Sequence, residues 1–211
     1  MLKQTTLLTC ALTVIIALGV AATIAIAGDN DKKPATNLTI SLRDFCDPAT
    51  FDAPPPAGLG PGACVRDDNP AVNGSQTLAG FRFELGQEKN VGAWRFNPFR
   101  TTVEEGTQLT LTNRGGEVHT FTRVAKFGGG FVAPLNAASG NPEPAPECAV
   151  KLANGQLAPQ PPGPNNIFLI HGMTVAGPEI QGDKEVKFQC CIHPWMRTTI
   201  RVKDDEDESK H

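Results

Sequence analysis

Short stretches in which apolar and polar residues alternate, bounded by glycine, proline or acidic turns, recur along the chain from Leu38 onward. A period of two sends successive side chains to opposite faces, as in a half-buried β-strand. Residues 38–42, 81–85, 107–113, 118–124, 167–170, 185–189 and 198–202 fit this period, and each predicts a strand. In 107–113, Leu109 and Leu111 share one face and threonines the other. Turns are expected at Glu104-Glu105-Gly106 and Arg114-Gly115-Gly116. No segment beyond the N-terminal apolar run sustains a helical period, and 21 glycines with 18 prolines in 211 residues weigh further against helices. The expected class is all-β, an antiparallel Greek-key sandwich with long loop insertions.

Two stretches break the alternation. Residues 47–73 are rich in proline, glycine and aspartate, and residues 127–166 carry Gly128-Gly129-Gly130 and two proline clusters. Both read as loops, the second long enough to be either functional or mobile. Residues 28–37 form a polar linker, 38–203 one domain with an insertion at about 127–166, and 204–211 an acidic tail. The first 27 residues combine Lys3, an apolar run and Ala25-Ile26-Ala27, the marks of a cleavable export signal. Uncleaved, residues 7–27 are long enough to anchor the chain in a membrane. Either way the chain is expected to be exported, to a periplasmic or extracellular space. The net charge is −3 and no basic run appears, which excludes nucleic acid as a partner.

Of the six cysteines, Cys46, Cys64, Cys148, Cys190 and Cys191 lie beyond residue 27. Oxidising compartments pair exposed thiols, and an odd number leaves one over. The stretch Phe188-Gln189-Cys190-Cys191-Ile192-His193-Pro194-Trp195-Met196-Arg197 spaces its donors Cys-x-x-His-x-x-Met, so one tight loop can aim three of them at one point. Thiolate and thioether favour copper(I), imidazole suits both oxidation states, and a His-His-Cys plane with a weak axial methionine describes an electron-transfer copper site. Zinc is the rival metal, but methionine is a poor ligand for it. A second histidine is still required.

This loop resembles that of the cupredoxins, the type 1 blue copper proteins, and its short His-x-x-Met spacing is similar to that of amicyanin. In that family the other histidine follows an asparagine that ends a strand, and Asn113-Arg114-Gly115-Gly116-Glu117-Val118-His119 fits. Upstream, Trp94-Arg95-Phe96-Asn97-Pro98, Val103 and Gly106 resemble the strand leading into it. The likeness spans roughly residues 92–124 and 184–202. It implies a cupredoxin-like sandwich in which His119, Cys190, His193 and Met196 hold one copper ion, with Asn113 in the surrounding shell. It further implies one-electron transfer to an unidentified redox partner protein, with His193, Pro194 and Trp195 as the electron port and Phe127 and Phe131 extending the docking surface.

Strand parity agrees independently. Cys190 shares a side with Val186 and Phe188, which should face the core, so Cys191 points away; His119 shares a side with Phe121. With Cys190 as ligand, four cysteines remain and allow three connectivities, of which Cys46–Cys64 and Cys148–Cys191 are expected. A free Cys191, or Cys191 as the ligand, is the rival arrangement. The chain is read as a carrier and not an enzyme, because an oxidase or nitrite reductase builds further copper centres from further histidines. Only four exist, and His171 and His211 fit no motif. The competing reading is a copper-binding, scavenging or delivery protein without redox turnover.

Overall fold

The computed structural model describes residues 36–64, 76–182 and 184–203. The expected signal, nearly all of the linker and the acidic tail lie outside the described residues. Among the described residues no helix is long and apolar enough to cross a membrane.

In chain order the elements are β1 (Asn37–Asp44), α1 (Pro48–Phe51), α2 (Leu78–Glu88), β2 (Trp94–Asn97), β3 (Arg100–Val103), β4 (Thr107–Asn113), β5 (His119–Val124), α3 (Ala133–Ala138), β6 (Ala149–Lys151), β7 (Leu157–Pro159), β8 (Asn166–Leu169), β9 (Thr174–Ile180), β10 (Glu185–Gln189) and β11 (Arg197–Val202). One sheet runs β2-β1-β4-β9, a second runs β3-β11-β10-β5-β8, and β6 pairs with β7. The expected sandwich is present, but its sheets are mixed: β1 lies parallel to β4 and β3 parallel to β11. Between β2 and β3 the chain changes sheets instead of turning back as a hairpin, which brings β3 beside β11 in the same direction.

Alternation decides what enters the core. Along β4, Thr107, Leu109, Leu111 and Asn113 are buried and the residues between them half-buried. Ile40, Leu42, Phe96, Leu109 and Leu111 from the first sheet meet Phe121, Val186, Phe188 and Ile200 from the second. Phe188 stacks on Phe121 at 4.3 Å between centroids, and Phe121 reaches Phe96 across the sandwich at 5.4 Å. β5 is nearly buried on both faces, because its outer side is covered by the 127–166 insertion. That insertion folds as α3, β6 and β7, and Val124, Ala145, Cys148 and Cys191 form a second small core beneath it.

The strand expected at 81–85 is instead part of α2, an eleven-residue helix that also corrects the expectation of a helix-free chain. Phe81, Phe83 and Leu85 fit a period of two, yet Leu78, Phe81 and Leu85 equally fit one helical face. The helix wins locally because the Thr77 side chain accepts from Gly80 N at its start and Lys89 adopts the left-handed conformation, φ 56°, at its end. It wins in packing because Phe81 docks on aromatic rings while Phe83 is left 65% exposed. β9 was not legible as a strand, since Gly177 and Pro178 interrupt it. An edge position tolerates both. Register shifts between Gln108 and Thr110 beside it, and Gln108 Nε2 donates to Gly177 O at 2.6 Å.

Gly177 also lies against the core: an added Cβ would stand 2.9 Å from Leu111 Cγ and 3.0 Å from Leu109 Cβ. Gly177→Ala is expected to destabilise the fold by about 1–3 kcal/mol through overpacking. Urea unfolding checks this, and an unchanged midpoint would contradict it.

Candidate metal centre

The cysteine pair divides as strand parity requires. Cys190 follows β10 on the side of Val186 and Phe188 and joins the main core, whereas Cys191 faces the second small core. Cys191 is bonded to Cys148, Cys46 is bonded to Cys64, and Cys190 is the free thiol among the described residues. Of the three connectivities open to the sequence, the chain holds this one.

β5 supplies His119 at its first residue, at the same rim of the sandwich where β10 delivers Cys190. The loop from Cys190 to β11 supplies His193. Cys190 Sγ lies 3.8 Å from His119 Nδ1 and 4.0 Å from His193 Nδ1, and the two Nδ1 atoms are 3.4 Å apart. These three residues form the one His, Cys and acid group among the described residues whose donor atoms all lie within 4.8 Å of one another, and all three are buried. Met196 closes the same loop: Cys190 N donates to Met196 O and Met196 N donates to His193 O, both at 2.9 Å, and its side chain is fully buried in the core.

Each imidazole turns its other nitrogen toward a carboxylate. His119 Nε2 lies 3.5 Å from Asp44 Oδ2 and His193 Nε2 lies 3.3 Å from Glu117 Oε2. A carboxylate behind Nε2 keeps the proton there and leaves the Nδ1 lone pair facing the sulfur, the arrangement by which proteins orient metal-binding histidines. Burial alone would lower the His119 pKa, but Asp44 and the Cys190 sulfur outweigh it and raise it to about 10. His193 moves the same way: burial opposes, and Cys190 and Glu117 prevail. Burial also resists ionisation of Cys190, yet the two imidazoles hold its pKa well below a thiol's ordinary value. All three shifts come from a thiol and two imidazoles set against one another in a buried space. A cation bound among the same Nδ1 and Sγ atoms would compete with protons for them.

Asn113 does not reach the sulfur. Its amide donates to Glu117 O at 2.7 Å and Leu169 O at 3.1 Å and accepts from Gly115 N at 2.9 Å, which pins the turn ahead of His119. The backbone donor to Cys190 Sγ is Thr120 N, at 3.4 Å, and Thr120 Oγ1 accepts from Cys191 N at 2.7 Å. Asp44 and Glu117 escaped the sequence reading. Asp44 was detectable, since it continues the inward parity of Ile40 and Leu42, where an acid needs a partner. Glu117 sits in a turn with no such signal. Gly115 makes room for Asp44, because an added Cβ would fall 1.4 Å from Asp44 Oδ1. His171 is exposed and braces that turn through Nδ1, 2.7 Å from Gly115 O.

Of the surface port expected at His193, Pro194 and Trp195, the histidine and the proline are enclosed, and Trp195 meets the surface only as part of a groove wall. His193 is 3% and Trp195 5% exposed, and Pro194 is buried. Trp94 meets the His193 ring edge-on at 4.9 Å, Trp195 lies 5.4 Å from it, and Phe81 of α2 packs on both tryptophans. Because α2 was read as a strand, this cover was invisible in the sequence. Phe131 is half-buried against the second small core, and Phe127 holds the Arg197 guanidinium 4.9 Å from its ring centroid.

No protein-family model matches the chain, and no curated protein matches it either. Solved structures do. A purple cupredoxin from Nitrosopumilus maritimus is 17% identical, with 56% of this chain and 93% of that one covered, at a TM-score of 0.32. A Cu-containing nitrite reductase from Thermus scotoductus is 17% identical over 52% of this chain and 20% of that one, at 0.27. A mutant plastocyanin of fern is 19% identical over 54% and 93%, at 0.30. At these scores neither residues nor roles transfer from one chain to the other.

Asp44→Asn keeps the size of the side chain while removing the charge behind His119. The substitution is expected to weaken metal binding about 10–100-fold. Competition with a chelator of known affinity measures this, and an unchanged affinity would count against the orienting role.

Proposed function

We propose that the chain is an exported type 1 copper protein that carries single electrons, with His119, Cys190, His193 and Met196 as the ligands of one copper ion. The observation that carries this reading is the convergence of a buried thiolate and two carboxylate-backed imidazoles on one point, with a buried thioether on the same loop. Soft sulfur donors beside imidazole suit copper in both oxidation states and are a poor set for zinc. Bound copper supplies a one-electron couple, Cu(I)/Cu(II).

What the protein contributes is a fixed, dry enclosure. The Cys148–Cys191 bond ties the insertion to the metal loop at the residue next to the thiolate. Arg197 Nε donates to Pro194 O at 2.6 Å and Arg197 to Asn141 Oδ1 at 2.8 Å, which fastens the far side of the loop to the same insertion. Little can move when the charge of the site changes, and a small rearrangement favours fast electron exchange. A delivery protein would leave a donor open for handing on its ion; here His119, Cys190 and Met196 are 0% exposed and His193 3%. Both disulfides agree with export into an oxidising compartment. The partner in this reading is another redox protein.

Adding copper(II) to the protein with Cys190 reduced is expected to produce intense visible absorption from the thiolate bond, and Cys190→Ser to abolish it. A colourless wild type, or a band that survives the substitution, would refute the assignment. Met196→Leu is expected to keep the band and raise the reduction potential, because loss of the thioether destabilises the oxidised ion more than the reduced one. Voltammetry reads this directly, and an unmoved potential would show that Met196 only packs.

A further inference from the structure

With His193 sealed under Trp94, Trp195 and α2, an electron needs another way out, and the two faces next to the site differ in charge. On the His193 side stands Glu117. On the other side Trp195 lines a groove of about 380 Å3 together with Phe99, Phe127, Arg95, Arg100 and Arg197. No acidic side chain is among its lining residues, and among the described residues Arg95, Arg100 and Arg197 form no salt bridge with a carboxylate. Glu84, which meets the lining residue Gly92, is engaged with Gly92 N at 2.8 Å and with Gln76 at 3.1 Å. Phe99 is 71% exposed at the groove, the most exposed large apolar side chain among the described residues. Arg43 adds to the positive potential from the next strand, where it pairs in register with Arg95.

We propose that electrons pass between the metal site and the surface through Trp195, and that the arginine-lined groove receives an acidic surface of the one-electron partner protein. This rests on the copper-carrier reading and names its exit and the chemistry of its partner. Trp195 is the ring that belongs to both places: it lies 5.4 Å from the His193 ring and forms part of the groove wall. Three unneutralised guanidinium groups around exposed aromatic surface complement carboxylates, and charge complementarity of this kind steers encounter and fixes orientation. The chain as a whole carries −3, so attraction of an anion has to come from a local patch.

The test uses the copper-loaded, reduced protein and hexacyanoferrate(III), a small anion that accepts one electron and leaves the oxidised protein and hexacyanoferrate(II). Stopped-flow rates are followed against ionic strength. Entry at the groove predicts a rate that falls as salt rises, against the sign set by the net charge, and a rate about tenfold lower in the double variant Arg95→Gln, Arg100→Gln. A control, Lys187→Gln with Arg201→Gln, removes equal charge near the start of β10, away from the metal loop, and is expected to change the rate less than about twofold. A rate that rises with salt, or equal effects of the two double variants, overturns the groove while an intact thiolate–copper band leaves the copper reading standing. Absence of that band overturns both.

Discussion

Adjacent residues on a strand face opposite ways, and at Cys190 and Cys191 this rule divides the molecule. One sulfur enters the main core between two imidazoles, and the other leaves through the opposite face to bond Cys148. Were the register shifted by one residue, the free thiol would sit under the insertion and the disulfide would fall among the histidines. The rest of the site depends on that division, which is enforced by Val186 and Phe188 on the inward side and by the hydrogen bonds of Gln189 to Gly128 and Gly129 on the outward side.

Charge is the second consequence of the same burial. An ionised sulfur taken out of water is costly unless it is partnered, and the chain sets Cys190 against two rings that are themselves backed by Asp44 and Glu117. The chain reads outward from Cys190 as thiolate, imidazole, carboxylate, on two sides. The turn at Asn113 to Glu117 serves this arrangement twice, since it places Glu117 behind His193 and gives Asp44 the space left by a glycine. Asp44 in turn accepts from Glu117 N at 2.7 Å, so the two carboxylate arms are tied together at their outer ends.

The insertions account for what a minimal sandwich lacks. The 127–166 segment covers the outer face of β5, is bonded to the metal loop at Cys191, and grips Arg197 through Phe127 and Asn141. The segment from Cys46 to Leu85 brings Phe51 and Phe81 over Trp94 and Trp195. Together they convert a rim that could have been open to water into an enclosed aromatic site, and the exposed aromatic surface is displaced to the arginine-lined groove.

The chain alone determined the local rules. Alternation placed β1, β4, β5, β8, β10 and β11 to within a few residues, and the spacing of Cys190, His193 and Met196 marked the donor loop, because a period of two and a three-residue step are properties of neighbouring residues. Tertiary structure decided everything that required distant segments to meet. Residues 81–85 satisfy two periods at once, and the aromatic surface offered by Phe51 and Trp94 adds to the caps at Thr77 and Lys89 in selecting the helical one. β9 carries Gly177 and Pro178 and becomes a strand because a partner edge at β4 is available to it. Asp44 behind His119, Glu117 behind His193, and the closing of the His193 edge involve contacts between segments far apart in the chain or hidden in a turn, and no spacing along one stretch of backbone encodes such a contact.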